Sequence, residues 1–154
     1  MKQKEITMKK VVFVLVFIFV LMQLYHPAKN ISGDVSANAV EHHYNVPQNV
    51  GTLLRTSCYD CHSNNTKYPW YNNIEPVALW LNSHINDGKR HLNFDEFSTY
   101  PAKKKIKKLQ EIAKTVEKGE MPLYSYTLIH GDARLTAEDK KILIDWATAL
   151  SKAQ

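Results

Sequence analysis

Cysteine is scarce in this sequence, since only Cys58 and Cys61 occur among the 154 residues. Because a structural zinc site needs four ligands, the lack of a second cysteine pair excludes a site built from two such pairs. The sequence also lacks internal repeats, low-complexity segments and any stretch in which apolar and polar residues alternate with period two. Repeat proteins and sheet-based folds are therefore not expected, and the sequence predicts an all-α protein.

Long apolar runs are also missing, and the longest one covers residues 11–22. Membrane-spanning helices usually need about 17–25 apolar residues, so this run is short unless residues 23–25 are included. Four lysines precede the run, which is the layout of a secretory signal, and no small-x-small cleavage site follows it directly. Ala37-Asn38-Ala39 has suitable residues for such a site but lies far downstream. Residues 1–25 are therefore predicted to be either a signal peptide or an N-terminal membrane anchor.

Either interpretation of residues 1–25 sends the rest of the chain out of the cytoplasm. The protein would be soluble on the periplasmic side after cleavage, or anchored in the inner membrane by residues 11–25 with its lysines on the cytoplasmic side. Residues 26–45 contain Pro27, Gly33 and several asparagines without a sustained apolar period, which predicts a linker. Residues 46–154 then form the folded domain.

Acidic residues are outnumbered, and the formal net charge is +5 with a pI near 9.1. Much of the excess lies in the leader and in one lysine run at residues 103–108. An exported chain seldom meets nucleic acid, so this run is interpreted as the solvated face of a helix. Docking of an acidic redox partner by long-range steering is the functional alternative.

Apolar residues in the domain recur with helical spacing. Helices are predicted at residues 47–56, about 75–86, 102–118 and from 137 onward. Pro47 suits a first helical position, while Gly88 and Gly119 suit helix ends. Thr136 and Asp139 have the spacing of a capping box. The loop of residues 119–135 is long for a small domain, which indicates a functional segment.

Both cysteines belong to the motif SCYDCH, in which His62 follows Cys61 directly. A disulfide within this motif would close a very small loop and add little stability. A redox pair usually accompanies a strand–helix–strand pattern, which is missing here. Zinc held by these residues and a distant histidine stays open, although no spacing supports it. The spacing C-x-x-C-H is typical of covalent haem attachment, with thioether bonds from both cysteines and His62 as the proximal iron ligand.

Several segments around this motif carry a family resemblance. SCYDCH after a short helix, the GEMPL segment and LTAEDKKILIDWA at the end together resemble a monohaem cytochrome c. The segments TSCYDCHSNNTKYPWY, WLNSHINDGKRHLNF and GEMPLYSYTLIHGDARLT more closely resemble the haem-binding domain family of exported bacterial proteins. The resemblance covers roughly residues 45–146. It implies a cytochrome c-like helical domain around one covalently bound haem c. The apolar run of residues 11–22 predicts an N-terminal hydrophobic helix before this domain.

The resemblance also implies a helix contact and a second iron ligand. Residues 47–56 would meet residues 137–151, with Trp146 in the contact. Met121 is the expected distal ligand, because cytochrome c methionines lie in loops before the last helix, often next to a proline. His84 and His130 are its rivals.

An apolar haem pocket is expected from aromatic and aliphatic residues whose alternative role is ordinary core packing. Its candidate members are Tyr68, Trp70, Trp80, Leu81, Tyr124 and Tyr126. His84 is also a candidate, either as a ligand or as a partner of a haem propionate. Arg90, with Lys89, would pair the propionates or remain a surface cation. Asn93 is a further hydrogen-bond donor to consider.

The leading functional hypothesis is an exported c-type haem protein that carries single electrons between partners, anchored to or released from the inner membrane. A haem-based sensor or small-ligand binder with an open sixth coordination site is the alternative. A peroxidase-like enzyme is less favoured, because no acid–base pair is marked by spacing, and catalytic residues are therefore not assigned. A module that uses the cysteines for metal or a disulfide, without haem, is the remaining interpretation.

Overall fold

The computed structural model describes residues 7–154, and this part of the chain is all-α, as predicted. Its α-helices are α1 (Met8–Met22), α2 (Val40–His43), α3 (Gln48–Ser57), α4 (Tyr59–His62), α5 (Val77–His91), α6 (Ala102–Lys118), α7 (Tyr124–Ile129) and α8 (Ala137–Lys152). Shorter 3₁₀ helices span Trp70–Asn73, Phe94–Thr99 and Gly131–Ala133. Within residues 7–154 the only β-type pairing is an isolated antiparallel bridge between Ile31 and Asn65.

The chain divides into two compact units. One contains residues 7–29 and Tyr68–His84, and the other contains Asn30–Lys67 and Ile85–Gln154. The larger, second unit holds the cysteine motif and the main core. Helix α5 begins in the first unit and ends in the second.

The core of the larger unit is built on the pair α6 and α8, which pack against each other. Both helices bury one apolar stripe, because their apolar residues recur every three or four positions. The buried members are Leu109, Ile112 and Val116 in α6 and Leu143, Trp146 and Ala147 in α8. Each fully buried Leu or Ile side chain of this kind contributes about 1.5–3 kcal/mol relative to its exposed state.

Helix α3 joins this core through Val50 and Leu54, which cluster with Trp146 of α8. The Trp146 indole N–H also donates to the backbone oxygen of Asn45 at 3.4 Å. The contact expected between residues 47–56 and the last helix, with Trp146 in it, is present. It positions the end of α3, where the cysteine motif begins.

The predicted ends of α6 and α8 agree with the structure. Gly119 follows α6 with φ +71, in the left-handed region that glycine adopts without a Cβ penalty. Thr136 precedes α8 and forms a complete capping box with Asp139, whose backbone N–H bonds the threonine hydroxyl. Both helix ends depend on residues close together in sequence, which explains why the sequence predicts them correctly.

The second predicted helix was wrong at both ends. The structure places α5 at Val77–His91, so that it begins later than residue 75 and continues through Gly88. The apolar spacing from which this helix is predicted places Val77, Trp80, Leu81, His84 and Ile85 on one buried side. That side is correct only in part, since Ile85 is buried but Trp80 is 48% exposed, while Ala78 is buried instead. Gly88 does not end the helix because it serves a packing contact with the cysteine motif, described below.

Two segments without a predicted helix are partly helical. The loop at residues 119–135 contains α7 and the 3₁₀ turn Gly131–Ala133. Residues 26–45 contain α2, and Ala39 and Val40 are fully buried there. Short helices of this kind depend on contacts with distant residues rather than on an apolar period of their own.

In the smaller unit, α1 carries an apolar sequence whose side chains are exposed along its length. Among residues 7–154, no helix combines the length and the apolar character needed to cross a membrane. Residues 1–6, with the first part of the predicted leader, lie outside the described residues.

Candidate functional site

The cysteine motif forms one helical turn directly after α3. The Cys58 backbone N–H still donates to the Leu54 oxygen at 2.9 Å, and the His62 N–H donates to the Cys58 oxygen at 3.0 Å. Residues three and four positions apart share one side of a helical turn. Cys58, Cys61 and His62 therefore lie on one helical turn, and both cysteines are free thiols.

The imidazole of His62 is held through one ring nitrogen. Its Nδ1 lies 3.0 Å from the Gly88 oxygen and 2.9 Å from the Leu92 oxygen. Backbone oxygens accept only, so Nδ1 carries the proton and donates to both. The Nε2 atom then has a lone pair and makes no hydrogen bond to any residue in 7–154. This tautomer is the one in which Nε2 can ligate a metal.

The protonation state of His62 also suits a ligand. Burial of the ring lowers the pKa of His62 below its ordinary value of 6.5, and this effect outweighs the hydrogen bonds to Leu92 and Gly88, which act in the opposite direction. The ring is therefore neutral at pH 7 and keeps the Nε2 lone pair. The edge of Phe94 packs near the ring, with centroids 6.4 Å apart and planes at 81°.

Gly88 allows α5 to approach the motif closely. A Cβ atom at this position would lie 2.5 Å from the Cys61 backbone oxygen and 3.1 Å from the Cys61 Cβ. Real Cβ atoms are not found that close, so a residue without a side chain is required here. The same close approach brings the Gly88 oxygen within reach of His62.

The two thiols are not activated as nucleophiles. Burial raises the pKa of Cys58 to about 12 and that of Cys61 to about 11, with Cys61 and Asp60 as the respective charged neighbours. Redox-active cysteine pairs instead show lowered pKa values. Within residues 7–154, no three His, Cys, Asp or Glu side chains cluster as a metal cage would require. The geometry thus gives no support to a redox pair or to a zinc site.

The residues between the cysteines tie the motif to distant segments. The Tyr59 hydroxyl donates to the Glu41 carboxylate of α2. The Asp60 carboxylate accepts from the Tyr126 hydroxyl at 2.7 Å and from the Lys67 backbone N–H at 3.1 Å. Burial, followed by the hydrogen bond to Asp60, raises the pKa of Tyr126 above its ordinary value. The hydrogen bond from Tyr126 to the Asp60 carboxylate therefore connects helix α7 to the cysteine motif.

Three candidate residues, Asn93, Arg90 and Lys89, make contacts within the protein. Asn93 accepts from the Asp95 backbone N–H at 3.0 Å and so caps the 3₁₀ helix Phe94–Thr99. Arg90 forms an exposed ion pair with Asp87 one turn earlier in α5. Lys89 donates to the Asn30 side-chain oxygen. None of these contacts tests whether Arg90 pairs a propionate, which stays a prediction.

Two of the distal candidates, Met121 and His130, lie beside α7. Met121 is half-buried, and its backbone N–H donates to the Thr115 oxygen at 3.3 Å. His130 stacks on Tyr126 with ring centroids 4.4 Å apart. Tyr124 is 78% exposed. The structure thus connects this segment to the motif through Tyr126, which sequence reasoning had treated only as a pocket residue.

The remaining candidates belong to the smaller unit. Trp70 is 76% exposed, and Tyr68 lies under the Lys29 ammonium at 5.5 Å. Trp80 packs against His84 with centroids 4.3 Å apart, and the His84 Nδ1 donates to the Trp80 oxygen at 2.9 Å. Leu81 is half-buried. Their roles at a cofactor stay predictions.

Sequence reasoning missed Gly88, Leu92 and Asp60. The two backbone oxygens that hold His62 cannot be read from side-chain identity. A signal existed for Gly88, because Leu92 continues the apolar spacing from Ile85 beyond the glycine.

A comparison with protein families decides which class of site this is. The model of the family described as haem-binding domain matches residues 17–149. The chain belongs to the haem-binding domain family. Comparisons with curated proteins and with solved structures gave no match. Haem is therefore the ligand that the family assigns to this haem-binding domain.

The residues around the motif fit that ligand. Iron in haem is commonly held by a neutral histidine whose other ring nitrogen donates a hydrogen bond. His62 has this arrangement, with Nδ1 bonded to two carbonyl oxygens and Nε2 unbonded among residues 7–154. Two thiols stand on the same turn, protonated at neutral pH because of their raised pKa values.

Proposed function

We propose that this haem-binding protein is an exported c-type haem protein that carries single electrons. The tautomer of His62 is the main support, since hydrogen bonds to Gly88 and Leu92 leave Nε2 for iron. Cys58 and Cys61 would hold haem c through thioether bonds, and His62 would be the proximal ligand. When bound, haem supplies an iron centre that accepts and releases one electron.

The chain's own residues orient and tune this ligand. The carbonyl oxygens of Gly88 and Leu92 hold the Nδ1 proton, which prevents rotation of the ring and increases the basicity of Nε2. The packing of Phe94 restricts the ring further. A ligand fixed in this way needs little reorganisation when the iron changes its charge.

Met121 is the proposed distal ligand. It lies in the segment before α8, next to Pro122, and this segment is fastened to the motif through Tyr126 and Asp60. A thioether ligand raises the reduction potential and suits electron transfer. His84 and His130 remain the rival ligands, and an open site would turn the protein into a sensor or small-ligand binder.

The proposed location is outside the cytoplasm, on the periplasmic side of the inner membrane. It is supported by the lysines and the apolar run at the beginning of the chain. Covalent attachment suits such a location, because a bound cofactor cannot then be lost by dissociation.

The experiment is a visible spectrum of the full chain, produced together with a cytochrome c maturation system, in both oxidation states and after carbon monoxide. Sharp reduced bands that carbon monoxide does not change are expected, together with haem that stays on the denatured chain. Bands that shift immediately would favour the sensor. Absence of covalent haem, or normal covalent haem in Cys61→Ala, would overturn the attachment.

The distal ligand is tested by Met121→Ala. We expect loss of the weak far-red band of methionine ligation and a lower reduction potential. Met8→Ala is the matched control, because Met8 is 77% exposed in α1. If Met121→Ala leaves both band and potential unchanged, Met121 is not the ligand.

A further inference from the structure

Residues 30–33 pair with the loop that follows the cysteine motif. The Thr66 backbone N–H donates to the Asn30 oxygen at 2.9 Å, and the Ser32 N–H donates to the Asn64 oxygen at 3.1 Å. The Asn30 side chain donates to the Ser63 oxygen at 2.9 Å. These residues therefore supply backbone partners to a loop that begins directly after His62.

Residues 36–40 continue this attachment on the 3₁₀ helix Phe94–Thr99. The Ser98 N–H donates to the Asn38 oxygen at 3.1 Å, and Ser36 and Asn38 both donate to the Glu96 carboxylate at 3.3 Å. Ala39 and Val40 are fully buried. Residues 30–40 are thus an ordered part of the larger unit, held by hydrogen bonds and by buried side chains. We call these residues the strap.

Gln23 makes a corresponding contact inside the smaller unit. Its side-chain oxygen accepts from the Glu75 backbone N–H at 3.0 Å, and its amide N–H donates to the Glu75 backbone oxygen at 3.1 Å. Glu75 is fully buried, with 0% of its surface exposed. The residue that follows α1 therefore satisfies both backbone groups of a buried position.

Signal cleavage would remove these partners. Small residues suitable for a leader peptidase occur at Val35-Ser36-Ala37 and Ala37-Asn38-Ala39. Both sites lie inside the strap and well beyond the usual length of about 15–30 residues for a signal peptide. A cut after Ala37 would leave the N–H groups of Thr66 and Glu75 without their partners, and a cut after Ala39 would also remove the Asn38 oxygen that pairs with the Ser98 N–H. Unpaired buried backbone groups are costly.

We propose that the chain is not processed after export, so that α1, Gln23 and the strap remain in the mature protein. This inference rests on the proposed export. It decides whether the exported protein is released by signal cleavage or keeps its N-terminal residues. The leader and the strap would then be permanent parts of the fold, because Gln23 completes hydrogen bonds inside the smaller unit and the strap completes hydrogen bonds inside the larger unit.

The test is the intact mass of the full chain, purified from the non-cytoplasmic fraction after expression with the maturation system. We expect the full polypeptide of 17.8 kDa, allowing for loss of the first methionine, plus one haem. A mass that begins anywhere after Gln23 would overturn the proposal. A full-length mass without haem would instead contradict the haem attachment and leave the retention intact, so the two failures are distinguishable.

The contact of Gln23 is tested separately by hydrogen exchange at the Glu75 amide. Gln23→Ala should accelerate exchange at this amide by about tenfold, because its acceptor is removed. Gln48→Ala is the matched control, since Gln48 is exposed and its side chain makes no such contact. Equal exchange in Gln23→Ala and the parent protein would refute the contact on which retention depends.

Discussion

The imidazole of His62 depends on two backbone oxygens and on one missing side chain. Gly88 contributes to both, since its oxygen accepts from His62 and its Cα faces Cys61 without a Cβ. A helix interior normally prefers alanine over glycine by about 1 kcal/mol. At this position the close approach to Cys61 outweighs that preference.

Gly88→Ala should therefore destabilise the protein without haem by about 1–3 kcal/mol, because a Cβ 2.5 Å from the Cys61 oxygen forces α5 away. Urea unfolding measures this loss, and the yield of haem-loaded protein should fall in parallel. Gly131→Ala is the control, as nothing lies within 4 Å of its Cβ position. Equal stability of Gly88→Ala and Gly131→Ala would show that the close approach is absent.

Tyr126→Phe tests the hydrogen bond that fastens α7 to the motif. Loss of a hydrogen bond to a carboxylate costs about 1.5–3 kcal/mol when buried, and we expect about 1–2 kcal/mol at this half-buried site. Tyr124→Phe, on the same helix and 78% exposed, should have almost no effect. Urea unfolding of both variants gives the comparison, and an effect of similar size in Tyr124→Phe would contradict the assignment.

Among the elements, α8 has the most complete local determinants. Thr136 and Asp139 form a reciprocal cap before Ala137, and the helix buries one side against α3 and α6. The hydrogen bonds from Thr136 lower the pKa of Asp139 below its ordinary 3.8. A carboxyl with a lowered pKa stabilises the fold above its unfolded-state pKa, and this contribution disappears as the pH falls through the folded-state pKa.

Thr136→Ala should cost about 1 kcal/mol at neutral pH, because the cap of α8 is lost. The cost should shrink below pH 3.8, where protonation of Asp139 weakens the same cap in the parent protein. Thermal unfolding across this range measures both effects. Glu138→Gln changes a neighbouring exposed carboxyl and should leave the stability nearly unchanged; a pH-independent cost in Thr136→Ala would refute the linkage.

The short elements behave differently from α8. Helix α7 has six residues and α4 has four, too few to be stable alone. Each is held by side chains from distant parts of the sequence, Asp60 for α7 and Glu41 for α4. Their existence therefore depends on the assembled unit.

At the scale of the whole molecule, the excess of positive charge should affect the rate of encounter with charged redox reagents. The formal net charge is +5, and its field extends about 30 Å at 0.01 M salt but only about 3 Å at 1 M. The reduced haem protein should therefore be oxidised by anionic ferricyanide faster at low salt than at high salt, whereas a cationic cobalt complex should show the opposite trend.

Lys103→Glu provides the control for this steering. Replacing one positive by one negative charge lowers the net charge from +5 by two, to +3, and should weaken the salt dependence for both oxidants. Stopped-flow rates at several salt concentrations measure it. Rates that do not respond to salt would mean that charge plays no part in the encounter.

The sequence by itself determined the features that depend on nearby residues. It predicted an all-α chain, the bounds of α6 with Gly119 at its end, and the capping box of α8. It also indicated haem as the ligand, through the spacing C-x-x-C-H at residues 58–62. Apolar periodicity, helix capping and ligand spacing each involve residues only a few positions apart. They can therefore be recognised from the sequence alone.

Only the tertiary structure decided the features that depend on distant residues. In the structure, α5 continues through Gly88, and α7 forms inside the segment predicted as a loop. Residues 30–40 pack beside the cysteine motif. The tertiary structure also assigned the Nδ1 proton of His62 through the oxygens of Gly88 and Leu92. Any residue can supply a backbone oxygen, so which one meets His62 is determined by how helices separated in sequence pack against each other.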